Sequence, residues 1–230
     1  MIENIEQGTL PNGCKACIAL TSWKKRINTV GLTIFNLMCV CGPEFHIVLT
    51  LAEEEFPSKE RELPKDLVLM NRAGLFEILW VRKNNKSLKK ICYTMARYST
   101  VPIISADDDC IYMYNYAEVL YNAWKKHRKA ISSYNVVHHY GIPFQHGPAT
   151  IYPPSIFGPK CLELLLNPQI MLINHDDVLY GLIAWYNHIP VIDIQKSVPY
   201  VFHDTIDALS RTRKVKCHEA IRSLMPILRR

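Results

Sequence analysis

Long apolar runs are missing from this sequence of 230 residues. No stretch approaches the roughly 20 apolar residues that a helix needs to cross a bilayer. The N-terminus, MIENIEQGTL, also lacks the basic and then apolar pattern of a secretory signal. We therefore expect neither a transmembrane helix nor a signal peptide. The expected location is cytoplasmic, with peripheral contact at the inner face of the membrane as an option.

Glycine is scarce as well, at 9 residues, and none lies in the Thr21-Ser22-Trp23 loop that follows the first apolar run. A Walker-type phosphate loop needs glycines at a fixed spacing ahead of a lysine. The missing loop counts against a nucleotidyltransferase. That class stays an alternative, because paired carboxylates with a divalent ion serve its chemistry equally well.

Charged residues make up 21% of the chain and hydrophobic residues 49%, which is typical of one globular domain without low-complexity regions. The net charge of +6 favours anionic partners such as phosphates, membrane surfaces or nucleic acid. A basic membrane- or nucleic-acid-binding module without enzymatic activity is the second alternative. It predicts aromatic and basic residues in alternation, which the sequence lacks outside its tail, so we expect no nucleic-acid partner.

Eight cysteines in a chain of this kind are expected to be mostly reduced, because disulfide frameworks belong to small secreted proteins. The four residues Cys14, Cys17, Cys39 and Cys41 are an alternative zinc site. The second pair is separated by a single residue and both pairs adjoin apolar patterns, which favours buried thiols.

The first half of the sequence alternates short apolar runs with helical patterns. Strands are predicted at 16–20, 45–51, 76–81 and 102–105, and helices at 30–38 and 86–98. Strands that are apolar throughout are buried on both faces, which is typical of a parallel sheet covered by helices. The sequence therefore predicts a Rossmann-like α/β fold.

The second half is less regular. We predict helices at 114–129, 159–166 and 175–186, a strand at 189–194, a polar, histidine-rich segment at 132–146, and a basic tail that is helical from 210 to Pro226. No internal repeat is present.

Three aspartates, Asp107, Asp108 and Asp109, follow the predicted strand at 102–105. In parallel α/β sheets, ligands bind at the carboxyl ends of the strands. Adjacent carboxylates repel one another unless a cation neutralises them, and oxygen ligands suit Mg²⁺ or Mn²⁺. The run therefore indicates a divalent metal site that also binds a phosphate-bearing substrate. A solvated loop or a helix N-terminus is the plainer explanation.

Four segments together resemble a known family: Thr21-Ser22-Trp23, the run from Ser105 to Asp109, Tyr152-Pro153-Pro154, and the run from His175 to Gly181. In order and spacing they are similar to GT-A glycosyltransferases of the family 2-like bacterial polysaccharide and lipopolysaccharide enzymes, over residues 16 to 204. The resemblance implies a GT-A fold with a mostly parallel central sheet flanked by helices. It divides a single domain, 1–230, into a nucleotide-binding half (14–110), an acceptor half (111–204) and a basic tail (205–230).

The resemblance also implies roles for the acidic residues. Asp109 is expected to coordinate Mn²⁺ or Mg²⁺, Asp107 to reach the metal or the ribose, and His203 to complete the coordination. Asp108, in the middle, has the least defined role and is grouped with the nucleotide-binding residues. Such a metal neutralises charge on the departing diphosphate.

A second acidic pair resembles the part of the family that activates the acceptor. Asp177 is the expected general base, and Asp176 binds the acceptor or supports the base. N-capping of a helix is the alternative explanation for both. The expected donor is a UDP-sugar, and the expected acceptor is a saccharide or a lipid-linked saccharide.

Nucleotide contacts are expected from the loop after the first strand, at Thr21, Trp23 and Arg26. Lys86 resembles a basic residue that attracts the donor diphosphate. A core position for Trp23 remains the alternative. Lys89 and Lys90 are expected to lie on an exposed helix face.

The tail combines basic residues with an apolar stripe. Its basic residues are Arg211, Arg213, Lys214, Lys216, Arg222, Arg229 and Arg230. Such a helix could lie on a membrane that carries a lipid-linked acceptor, or it could pack on the domain with its charges in water.

Overall fold

The computed structural model describes residues 5–157, 163, 167–173, 175–194, 197–203 and 216–228. The strands are β1 (Ala16–Thr21), β2 (Phe45–Ala52), β3 (Glu77–Val81), β4 (Ile103–Ser105), β5 (Cys110–Tyr112), β6 (Ile131–Ser133), β7 (Val136–His139), β8 (Ile142–Gln145), β9 (Thr150–Tyr152), β10 (Val191–Asp193) and β11 (Tyr200–Phe202). The helices are α1 (Val30–Cys41), α2 (Lys65–Arg72), α3 (Lys89–Arg97), α4 (Tyr116–Lys126), α5 (Pro168–Ile173), α6 (Asp176–Tyr186) and α7 (Cys217–Leu228), with 3₁₀ turns at Lys59–Glu62 and Lys86–Leu88.

A seven-stranded sheet in the order β10-β6-β9-β4-β1-β2-β3 forms the centre of the described chain. Its strand pairs are parallel except at β9, which runs antiparallel to both β4 and β6. Two small antiparallel ladders, β5 with β11 and β7 with β8, lie outside it. The predicted Rossmann-like fold with a mostly parallel sheet is confirmed.

The sheet is buried on both faces, as the uninterrupted apolar strands predicted. Ala19 and Val48 pack with Ile91 of α3 on one face. Leu20 and Leu49, one residue further along each strand, pack with α1 on the other face. Since neighbouring strand residues point to opposite faces, a strand covered on both sides must be apolar at every position.

The strands predicted in the first half agree with β1 to β4 to within one residue at each end. The segment 132–146, by contrast, was predicted only as polar and histidine-rich, but it overlaps β6 and contains β7 and β8. Strands β5, β9 and β11 were also missed, because each has only three residues and too little alternation to be recognised. Most of the helix predicted at 159–166 lies outside the described residues.

The division into a nucleotide-binding half and an acceptor half stays a prediction. The central sheet crosses the proposed boundary, since β4 of the first half pairs with β9 of the second. The acidic run lies at that junction, between β4 and β5.

Helix α7 packs on α6 with its apolar side. Ala220, Ile221 and Leu224 are buried in the same core as residues of α6. None of the helices in the described ranges has the length and apolar character needed to span a bilayer. The basic positions 211, 213, 214, 229 and 230 lie outside the described residues.

The cysteines occupy different environments. Cys17 and Cys41 are buried, and Cys39 is exposed, and all three are free thiols, as is Cys14. The four residues of the alternative zinc site thus differ in their exposure to solvent. Cys92 differs from them, because it is disulfide-bonded.

A charged cluster ties the start of β2 and β3 to the end of α3. Glu77 accepts a hydrogen bond from Tyr98 Oη, and its other oxygen accepts one from Arg97 Nε at 2.8 Å. His46 Nε2 lies 3.0 Å from Glu77 Oε2. Burial would raise the pKa of Glu77, but the hydrogen bonds from His46 and Tyr98, together with Arg97, lower it from 4.5 to about 2.

We predict that Glu77→Gln destabilises the protein by on the order of 2 to 3 kcal/mol at pH 7. A carboxyl whose pKa is depressed on folding stabilises the native state above its unfolded pKa. That contribution is lost as the pH falls from about 4.5 towards 2. The difference in the free energy of unfolding between variant and wild type should therefore become smaller over that interval. Urea unfolding at several pH values measures it. Glu60→Gln, in an exposed ion pair with Arg72, is the control and should cost less than about 1 kcal/mol. A pH-independent cost for Glu77→Gln would contradict this account.

Candidate functional site

The loops after β1 and β4 lie side by side, because these strands are parallel neighbours in the centre of the sheet. Ala106 N donates to Ala19 O at 2.9 Å and continues the ladder beyond Ser105. The acidic run therefore leaves the sheet beside the segment that begins at Thr21. This is the edge of the sheet at which the sequence predicted ligand binding.

Arg26 compensates two of the three carboxylates. Its Nη1 lies 3.1 Å from Asp108 Oδ1 and 2.5 Å from Asp109 Oδ2. Ser22 Oγ donates to the other oxygen of Asp108 at 2.6 Å. All three charged side chains are buried, and Arg26 Nε has no hydrogen-bond partner.

Burial dominates the electrostatics of this pair of aspartates. It raises the pKa of Asp108 from 3.8 to about 6, although Arg26 and the Ser22 hydroxyl act in the opposite direction. Burial also raises the pKa of Asp109, with a further contribution from the charge of Asp107. The guanidinium of Arg26 keeps its charge, since the aspartates raise its pKa in spite of its own burial.

Lys90 compensates the third carboxylate. Its Nζ donates to Asp107 Oδ1 at 2.6 Å and lies 3.6 Å from Asp176 Oδ2. Lys90 is only 7% exposed, and Lys89 beside it is 1% exposed. The prediction that Lys89 and Lys90 lie on an exposed face is wrong, because both side chains are buried where α3 packs on the domain.

His203 reaches the acidic run through the small ladder of β5 and β11. Its backbone N donates to Asp109 O at 2.9 Å, directly after the pair formed by Phe202 and Cys110. Its Nε2 lies 3.1 Å from Thr33 Oγ1, and the same hydroxyl is 3.0 Å from Asp108 O. The structure therefore brings together His203 and Asp109, although they are 94 positions apart in the sequence.

Asp176 and Asp177 form the first turn of α6, where the helix dipole favours negative charge. Asp176 is buried, whereas Asp177 is half-buried. Asp177 Oδ2 accepts a hydrogen bond from Gly147 N at 3.3 Å, and its backbone oxygen accepts one from Gln145 Nε2 at 3.1 Å. Through Lys90, this acidic pair lies beside Asp107.

The expected nucleotide contacts differ in their surroundings. Thr21 Oγ1 donates to Thr50 O at 2.7 Å, and Trp23 is half-buried with Lys25 Nζ 5.3 Å from its ring centre. Lys86 is exposed and has a positive φ of 51°, with its backbone N bonded to Asn84 Oδ1 at 3.1 Å. Arg26 is occupied by the acidic run.

The carboxylates thus have cationic partners within the chain, so their mutual repulsion alone does not require a metal ion. Across the described part of the chain, no three side chains of His, Cys, Asp or Glu are grouped as a ready set of ligands. The available donors still suit Mg²⁺ or Mn²⁺ in kind. Asp107 is 30% exposed at its side chain, and such ions are commonly held by one or two carboxylates together with substrate phosphates.

Sequence reasoning missed Thr33, Ser22 and Lys90 as parts of the site. A signal existed for Thr33, because it falls among the apolar positions of α1 and a buried hydroxyl must find a partner. Lys90 carried no such signal. Its partners belong to other elements, 17 and 86 positions away.

We predict that Arg26→Met destabilises the protein by about 3 to 5 kcal/mol, because it leaves two buried carboxylates without their cation. Chemical unfolding measures the loss, and adding Asp108→Asn should recover part of it. Arg72→Met removes an exposed arginine from its ion pair with Glu60 and should cost less than about 1 kcal/mol. An equal, small cost for both arginines would contradict the burial argument.

No protein family and no curated protein matches this sequence. Among solved structures it is similar to S. aureus TarS 1-349, with 14% identity and a TM-score of 0.52, over 81% of this chain and 59% of that chain. TarS 1-349 in complex with UDP-GlcNAc gives 13% identity and a TM-score of 0.55, over 87% and 62%. The complex with UDP gives 13% and 0.51, over 81% and 59%.

The chain therefore spans about three fifths of the length of these TarS structures. At sequence identity this low, the structural similarity establishes the fold and not the activity. The similarity confirms the fold that the motifs implied, which is a GT-A glycosyltransferase-like fold.

Proposed function

We propose that this protein is a metal-dependent glycosyltransferase that moves a hexose from a UDP-sugar to a saccharide or a lipid-linked saccharide. The observation that carries the proposal is the meeting of two acidic motifs at one edge of the sheet, where Lys90 contacts both Asp107 and Asp176. The fold adds support, since the similar protein TarS has been crystallised with UDP-GlcNAc and with UDP. Neither alternative, nucleotidyltransferase or non-enzymatic module, has comparable support.

The donor is proposed to bind over the loop after β1. Thr21 and Trp23 are proposed to contact the base and ribose, and the exposed Lys86 is proposed to attract the diphosphate. Arg26 and Asp108 are proposed to support this donor site from the interior of the protein, where both are buried. Their buried pair holds the loop and the acidic run together, and Arg26 extends positive charge towards the phosphates.

The metal ligands are proposed to be Asp107, Asp109 and His203. Asp109 and His203 are joined by a backbone hydrogen bond, and Asp107 keeps a partly exposed carboxylate. Arg26 contacts Asp109 through Oδ2, so Oδ1 is the atom proposed to ligate the metal. When bound, Mn²⁺ or Mg²⁺ would neutralise the charge that develops on the departing UDP.

Asp177 is proposed as the general base that takes the proton from the acceptor hydroxyl, with Asp176 beside it as a supporting residue. The half-buried Asp177 carboxylate is oriented by Gly147 N, whereas Asp176 is held in the interior near Lys90. This division fits one carboxylate that meets the acceptor and one that fixes the helix start. The helix dipole favours the ionised form that a base requires.

A peripheral membrane contact through the basic tail completes the proposal. The apolar residues Ala220, Ile221 and Leu224 are packed against the domain, so such contact would depend on charge. Attraction of lysine and arginine to anionic lipids falls within a Debye length and is weakened by salt.

Nucleotide binding should raise the thermal stability. At a concentration 100 times its Kd, UDP with Mn²⁺ is predicted to raise Tm by roughly 5 to 10 °C. The shift should be smaller with EDTA and smaller in Asp107→Asn. Differential scanning fluorimetry with UDP, GDP and ADP measures it. A chain whose Tm responds to no nucleoside diphosphate, with or without metal, would refute the proposed function.

Asp177→Asn is predicted to lower sugar transfer by about 10²- to 10⁴-fold, since the amide cannot accept the acceptor proton. UDP release in the presence of acceptor measures transfer, and calorimetric UDP affinity should change less than about threefold. Asp193→Asn, on the exposed face of strand β10, is the control and should retain activity. Unimpaired transfer by Asp177→Asn would remove the assignment of the base.

A further inference from the structure

A single buried lysine joins the acidic run to the second acidic pair. Lys90 Nζ contacts Asp107 Oδ1 at 2.6 Å and Asp176 Oδ2 at 3.6 Å. Asp107 follows β4 in the proposed nucleotide-binding half, and Asp176 begins α6 in the proposed acceptor half. One ammonium group therefore lies between two carboxylates that belong to different parts of the site.

The arrangement needs all three charges. A buried lysine is unfavourable without partners, and two carboxylates near each other repel. The Nζ of Lys90 contacts both carboxylates, at 2.6 Å and 3.6 Å, and so holds them at a short, defined separation.

The surrounding structure fixes the position of this lysine. Tyr180 Oη on α6 donates to Leu88 O at 2.8 Å, immediately before α3 begins. The same hydroxyl lies 3.2 Å from Cys92 Sγ. These contacts join α6 to the first turn of α3, where Lys90 lies, so the separation of the helices is set by packing as well as by charge.

The adjacent Lys89 offers a contrast. It is also buried, but its Nζ donates to the neutral Asn84 Oδ1 at 3.2 Å, and burial lowers its pKa to about 8. Burial on α3 alone therefore does not produce the bridge. The bridge depends on the direction in which Lys90 points and on the two carboxylates that it meets.

We propose that Lys90 is a positioning residue that sets the distance between the donor-side carboxylate Asp107 and the helix start that carries Asp177. The effect of Lys90 on catalysis rests on the proposed function. The contacts of Lys90 with Asp107 and Asp176 do not depend on that function. A donor bound on the Asp107 side of the site and an acceptor deprotonated at Asp177 must meet at reacting distance. Misplacement by about 1 Å can cost on the order of 10²-fold in rate.

The bridge is tested first without any substrate, by a double-mutant cycle in thermal unfolding. The variants are Lys90→Met, Asp107→Asn and Asp176→Asn, with the two doubles that contain Lys90→Met. Groups that interact directly are non-additive. We expect the Tm loss of each double variant to be clearly smaller than the summed losses of its single variants. Additive losses for the pair with Asp176 would overturn the inference, whether or not the protein transfers sugar.

The second test separates positioning from simple donor binding. Lys90→Met is expected to lower kcat by about 10²-fold while the donor KM changes less than about threefold. Lys90→Arg keeps the charge and should recover at least about tenfold of that loss. Lys89→Met, the matched control, should keep kcat within about threefold of wild type. A raised donor KM with unchanged kcat in Lys90→Met would overturn the inference.

Two further outcomes are distinguishable. If Lys90→Met does not fold, Lys90→Arg alone decides. Its longer side chain should lower kcat and leave the donor KM unchanged. A raised donor KM with unchanged kcat would contradict the positioning role. If the wild type transfers no sugar, the proposed function fails, while the unfolding cycle still supports or overturns the bridge.

Discussion

Compensation of buried negative charge is the constraint on which the site depends. Four carboxylates, those of Asp107, Asp108, Asp109 and Asp176, are distributed over two cations, Arg26 and Lys90. Each cation lies between two carboxylates from the interior of the site. A cluster of this kind is stable only when its geometry is fixed, and the rigid sheet and the helices packed on it provide that geometry.

The two cations connect different parts of the site. Arg26, from the loop after β1, locks the base of the acidic run, whereas Lys90, from α3, joins that run to the start of α6. Both come from segments that follow strands of the proposed nucleotide-binding half, β1 for Arg26 and β3 for Lys90. The proposed donor site and the proposed base therefore share one charge network. A substitution at one end of this network should change the position of the charged groups at the other end.

The fold could be predicted from the sequence because its signals are local. Strands such as β1 and β2 are apolar throughout, and α1 has helical spacing, so a covered parallel sheet followed directly. The site was only partly predictable. The three aspartates are conspicuous in the sequence, but Lys90 pairs with residues on two other elements, and a lysine beside a second lysine resembles a solvated face. Short strands such as β5 and β11, which bring His203 to Asp109, are decided by tertiary pairing and not by their own residues.

A crystal structure of the protein grown with UDP and Mn²⁺ tests the central claim most directly. The account predicts the nucleotide over the loop after β1, Mn²⁺ held by Asp107, Asp109 and His203, and Lys90 still between Asp107 and Asp176. Nucleotide bound elsewhere, or an acidic run whose only partners remain Arg26 and Lys90 while UDP occupies a different face, would contradict it.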